Sequence, residues 1–118
     1  MQQPTLRSAT GRDLCLWLLR RYRRFRVTGD SMLPLLAPSQ EVLLDPAAYR
    51  ATPPQPGDIV VAHHPQHPQL RIIKRILFVE ADGHCYLQGD NAIASTDSRQ
   101  FGLLPPSQID GKVVCLFP

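Results

Sequence analysis

Cysteine is scarce in this chain of 118 residues: Cys15, Cys85 and Cys115 form an odd, widely spaced set. That excludes a disulfide framework and any CxxC metal or redox motif, and it reads as reduced cysteine in a cytoplasmic protein. Long apolar runs are missing too. The longest near the N-terminus, Leu14 to Leu19, covers six residues, against the roughly 20 that a membrane-spanning helix needs. A secretory leader would carry its basic stretch before the apolar one, whereas here the arginines follow it. The chain therefore reads as soluble. Aromatic residues number only eight, too few and too dispersed to interleave with positive charge as base-stacking surfaces do, so no nucleic-acid partner is expected. Seven glycines are outnumbered by twelve prolines, which excludes a helical bundle and favours short strands joined by stiff loops. Lysine is the rarest cation, with two against eleven arginines.

The net charge of +3 is concentrated rather than spread: Arg20, Arg21, Arg23, Arg24 and Arg26 fall within seven residues. Just before them, Leu14, Trp17, Leu18 and Arg21 recur at helical spacing, predicting a short helix capped by Asp13 and running to about Tyr22. Residues 1–11 are polar and unpatterned and read as a loose tail. The helix either packs on the body with its arginines in water or makes peripheral contact with a membrane surface. From Phe25 onward the pattern turns to strands: Arg24–Thr28, Glu41–Asp45, Asp58–His63, Gln69–Glu80, His84–Gln88 and Lys112–Phe117. We therefore expect a tail and basic helix over 1–23, then a mainly β, compact antiparallel domain over 24–118. His63, His64 and His67 sit in a proline-broken loop without rigid support, and are expected to be solvated rather than metal-bound.

Two residues stand out chemically. Along Leu70–Val79, alternation puts Leu70, Ile72, Lys74, Ile76 and Phe78 on one face and Arg71 and Arg75 on the other. Lys74 is then the single charge on an apolar face. An arginine there would stay charged, whereas a desolvated lysine can release its proton. The second residue is Ser31, in Val27-Thr28-Gly29-Asp30-Ser31-Met32-Leu33-Pro34, where a strand runs into a glycine turn and then into apolar residues. A turn serine commonly just bonds its own backbone. A serine beside a neutral lysine is also a solution to acyl transfer, the lysine taking the hydroxyl proton as the oxygen attacks a carbonyl.

Four segments carry a family resemblance. Gly29-Asp30-Ser31-Met32-Leu33-Pro34 resembles the nucleophile box of the type I signal peptidases and related S26 serine peptidases, and Pro56-Gly57-Asp58-Ile59-Val60-Val61 resembles their second box. Ile73-Lys74-Arg75-Ile76 is similar to the lysine box, and Gly89-Asp90-Asn91 with Ser95-Thr96-Asp97-Ser98-Arg99 to the last one. The boxes come in family order. The resemblance implies the signal peptidase/LexA-like catalytic core, with Ser31 as nucleophile and Lys74 as base. It implies further that Ser95 orients the lysine, that Asp97 and Arg99 form a structural ion pair, and that Asp90 and Asn91 shape a turn. Met32 and Pro34 complete the serine box. No metal or organic cofactor is implied. The Ser31 N–H is the expected oxyanion donor; where some members place a second serine this chain has Gly29, leaving Thr28 or another backbone group.

The chain also departs from the family. It reads as lacking a spanning anchor, and only about fourteen residues separate Lys74 from Gly89. This reduced form is similar to the maturation proteases of nickel-type superoxide dismutase, which implies removal of an N-terminal propeptide from that precursor. The self-cleaving LexA-like peptidases share the chemistry, but no Ala-Gly pair or DNA-binding headpiece lies upstream of Ser31. The alternative outside enzymes is a non-catalytic β-barrel module binding acidic partners or membrane surface through Arg20–Arg26.

Overall fold

In the computed structural model the described residues are 6–91, 93 and 96–118. Six strands form one antiparallel sheet in the order β1-β2-β6-β3-β4-β5: β1 Arg23–Arg26, β2 Glu41–Asp45, β3 Ile59–His63, β4 Arg71–Val79, β5 Cys85–Gln88 and β6 Ile109–Leu116. The mainly β expectation holds. Helix α1, Gly11–Leu18, precedes the sheet, and a single turn, α2, Ser98–Phe101, follows β5.

The central strand β3 explains why the sheet has apolar matter on both sides. Its run Ile59-Val60-Val61-Ala62 is buried throughout, and alternation divides it between two cores. Ile59 and Val61 join Val27, Met32, Leu36, Val42, Leu44, Ile73 and Val113; Val60 and Ala62 join Ile76, Cys85, Leu87 and Leu104. The first face is covered by the Val27–Leu36 segment and the second by the chain around α2. β6 starts earlier than the sequence suggested, because Ile109-Asp110-Gly111 looks like a turn. Gly111 instead marks a close approach: a Cβ there would lie 2.6 Å from Leu44 Cδ1 and 2.8 Å from the Asp45 carbonyl oxygen.

Three local readings change. The helix is capped by Thr10 rather than Asp13, which stands at the third helical position and completes a capping box by accepting from Thr10 N at 2.8 Å. α1 stops at Leu18, four residues short of Tyr22, and Arg20 has left-handed backbone with φ 62°. The polar N-terminal stretch is tied down from Arg7: Leu116 N donates to Arg7 O and Ala9 N to Leu116 O, both at 2.9 Å. These bonds fill the edge of β6 beyond its pairing with β3. Asp13 is buried beneath Arg7, and Trp17 packs edge-on against Phe117 at 4.8 Å. All three cysteines are free, Cys85 and Cys115 buried and Cys15 exposed.

Candidate active site

Ser31 is placed by what lies on either side of it. Val27 prolongs β1 by donating to Gln40 O at 2.8 Å and is buried, as are Met32 and Leu36. Between these anchors the chain must turn sharply; Gly29 supplies the left-handed residue, φ 76°, that a side chain would resist. Leu33 N closes the turn on Asp30 O at 3.2 Å, and the Leu33–Pro34 peptide is cis. Pro34 itself is exposed. The result lifts Ser31, half-buried, off the first core.

A second turn laces onto this one. Asn91 N donates to Ser31 O at 2.8 Å, and Asn91 Nδ2 donates to Asp30 O at 3.1 Å. Asn91 therefore joins the serine turn to the end of β5. Asp90 does more than shape a turn: its carboxylate takes Arg75 Nε at 2.8 Å and a terminal nitrogen at 2.9 Å. Arg75 lies on the face of β4 opposite Lys74, as alternation requires, and its two-pronged pairing fixes the β4–β5 end of the sheet.

Lys74 is 4 % exposed in the middle of β4, opposite Val60 on β3. Burial pushes its ammonium below the ordinary lysine range; Asp97 opposes that shift and Arg99 adds to it. The apolar face is shorter than expected. A bulge between Ile76 and Phe78 reverses the alternation, so Phe78 turns away and stacks on Tyr86 at 4.9 Å, while Val79 joins the Lys74 side.

Asp97 is fully buried and caps α2. It accepts from Gly89 N at 2.9 Å and from Arg99 at Nε and a terminal nitrogen, 2.9 and 2.8 Å. Neighbouring Ser98, quoted in the last box but given no role there, accepts from Leu87 N at 2.8 Å. Ser95 lies outside the described residues.

These elements converge on one cavity of about 440 Å³. Thr28, Gly29, Asp30 and Ser31 form one wall, Ile72 and Lys74 lie along β4, and Thr96 closes an end. A smaller adjoining cavity of about 130 Å³ is again lined by Thr28, Ser31 and Lys74. The remaining wall was not foreseen. His64, read as a solvated loop residue, is 6 % exposed and lines the larger cavity with Gln66, His67 and Leu70. Its Nδ1 accepts from Gln66 N at 3.0 Å and His67 N at 3.2 Å, so that nitrogen carries no proton and the ring is the neutral Nε2–H form. Its ring packs against Phe101 at 5.0 Å, and burial, then His67, lowers its pKa. The helical turn that supplies Phe101 is too short to show in a periodicity, which is why this burial was missed. His63 is also held, by Pro68 O at 2.7 Å and Asp110 at 2.9 Å. Among the described residues no three metal-binding side chains gather.

The family profile described as signal peptidase, peptidase S26, matches residues 14–82 and 79–117. The chain belongs to the S26 peptidases. Similar curated proteins include the mitochondrial ATP-independent inner membrane protease subunit 1a of Arabidopsis thaliana, 36% identical over 110 residues, which covers 75% of this chain and 66% of that protein. The human mitochondrial inner membrane protease subunit 1 is 32% identical over 105 residues, 73% of this chain and 63% of its own length. Subunit 2 of Danio rerio is 34% identical over 108 residues, 74% and 59% respectively. This S26 chain thus spans about two thirds or less of these relatives.

The relatives correct one expectation. A cytoplasmic location does not agree with proteins named for the mitochondrial inner membrane. Free cysteines and the missing apolar run describe the chemistry of the chain, and neither reports a compartment. Among the described residues no helix of this S26 peptidase is long and apolar enough to cross a membrane.

Proposed function

We propose that this chain is a serine endopeptidase in which Ser31 is the nucleophile and Lys74 the general base, releasing an N-terminal segment from a precursor protein. The observation that carries this is the shared cavity: Ser31 stands on one wall and a buried lysine, the only one on its strand, on the next. Neutral Lys74 takes the Ser31 hydroxyl proton as the oxygen attacks the scissile carbonyl. Ser31 N–H and the Thr28 side of the turn face the developing oxyanion. Protonated Lys74 returns its proton to the leaving amine, then activates the water that releases the acyl group. Asp97 and Arg99 brace the turn at Gly89 and set the charge around Lys74. Ser95, by its place in the family motif, orients the lysine.

The precursor of nickel superoxide dismutase, suggested by the short link between Lys74 and Gly89, is the first substrate to test. The relatives' names support a protease and do not support that substrate. Because they are named as subunits 1 and 2, a second chain of the family is also proposed as a partner.

Purified protein is mixed with that precursor and with an unbiased set of N-terminal peptides, and products are read by intact mass. Ser31→Ala and Lys74→Arg are expected to lose activity by about a thousandfold or more while keeping the wild-type circular dichroism spectrum. Full activity in Lys74→Arg would remove Lys74 as the base, since an arginine cannot accept the proton.

A further inference from the structure

At the opposite end of β1 from the Ser31 turn lies a larger cleft of about 530 Å³. Arg12 of α1, Arg20, Arg21, Arg23 and Arg50 line it, with Asp45 as its one carboxylate. All five arginines are exposed, and among the described residues none of them forms an ion pair. Asp45 is already engaged by Ala47 N at 2.9 Å. Five guanidinium groups gathered around one carboxylate repel one another, and among the described residues no ion pair accounts for their gathering. The cluster is matched instead to a ligand rich in phosphate, which guanidinium groups bind in two-pronged fashion.

The apolar surface beside it narrows the choice. Leu18 and Leu19, next to Arg20 in the chain, are 71 % and 69 % exposed. Trp17 is not available to dip into lipid: it packs on Phe117, and the Arg24 guanidinium lies 5.5 Å from one ring and 5.0 Å from the other. A small phosphate compound has no use for two exposed leucines, whereas a lipid surface uses both features at once.

We propose that this cleft docks the chain on an anionic phospholipid surface, the five arginines taking headgroup phosphates while Leu18 and Leu19 enter the acyl boundary. The inference is independent of the chemistry assigned to Ser31. β1 runs from Arg23 in the cleft towards the serine turn, so a docked molecule carries the Ser31 cavity on the order of 10–20 Å above the headgroups.

The test is co-sedimentation of the full chain with phosphatidylcholine vesicles, with and without phosphatidylglycerol. Binding is expected only where phosphatidylglycerol is present, and it is expected to weaken as salt rises. The triple variant R21Q/R23Q/R50Q leaves the left-handed Arg20 untouched and is expected to bind about a hundredfold more weakly, each arginine near an anionic surface contributing several-fold. L18S/L19S is expected to lose about tenfold. Both variants change exposed side chains, and circular dichroism checks their fold. Equal binding to both vesicles, or wild-type binding by the triple variant, overturns the proposal. Binding of inorganic phosphate or polyglutamate without binding of vesicles overturns it too, in favour of a free anion or an acidic protein.

Discussion

Water is what normally keeps an ammonium group charged, and Lys74 has lost nearly all of it. Its lowered pKa has two measurable consequences. The unfolded chain stays protonated at pH values where the folded one has released the proton, so stability rises with pH between the lowered value and the ordinary lysine value. Activity that needs neutral Lys74 rises over its acid limb with a midpoint below the ordinary lysine range. Arg99 helps to lower that midpoint and also occupies Asp97, so Arg99→Gln is expected to move the limb to higher pH. The kcat/KM profile of the two proteins checks this. Strand alternation showed Lys74 as the one charge on an apolar face, since period two needs no tertiary knowledge; its role as a base rested on Ser31 as well. Ser31 needed the family motif, because a glycine turn with a serine has many ordinary uses. His64 was invisible from either direction, its burial depending on Phe101 more than thirty residues away.

The strands themselves followed from apolar alternation and proline punctuation: each expected strand exists, Glu41–Asp45 with the bounds expected and the others with ends moved by at most three residues. What alternation does not carry is the extra residue. The bulge near Leu77 changed which side chains accompany Lys74, and those near Leu43 and Val61 let β6 pass between β2 and β3. Gly111 lies within that passage. Gly111→Ala brings a methyl group into Leu44 and the Asp45 backbone, and is expected to cost about 1–3 kcal/mol in urea unfolding. A stability equal to wild type would mean that β2 and β6 separate easily there. α2 was not foreseen, and α1 ends earlier than expected, for a common reason: a helix of one or two turns is decided by its caps and its neighbours.

Across the whole molecule, the N-terminal segment is fastened to the last strand. Arg7 and Ala9 bond Leu116, and Asp13 holds Arg7 at one end and Thr10 at the other. The Arg7 guanidinium first, then the Thr10 N–H, keep the Asp13 carboxyl well below the usual carboxylate range. Its contribution is complete above the ordinary aspartate pKa and is lost as pH falls towards the lowered one. Arg7 is half exposed, so water screens its part. Asp13→Asn is expected to lose about 1–2 kcal/mol near neutrality and to show a flatter decline of the unfolding midpoint below pH ~4. An unchanged acid decline would place the linkage on other carboxylates. Sequence reading divided the chain near residue 23, but it had no means of seeing that its first strand-like bonds are made to its last strand.

Lys74 and Ser31 differ in how they are mounted. The lysine is set in a strand paired along both edges, with a core on either side. The serine hangs from a turn fastened through Asn91. On the proposed mechanism, a peptide entering the cavity meets a base held on a doubly paired strand and a nucleophile held on a turn. If Ser31 and Lys74 react as proposed, changes at Asn91 are a dial for tolerance of different substrates, turned without touching either of them.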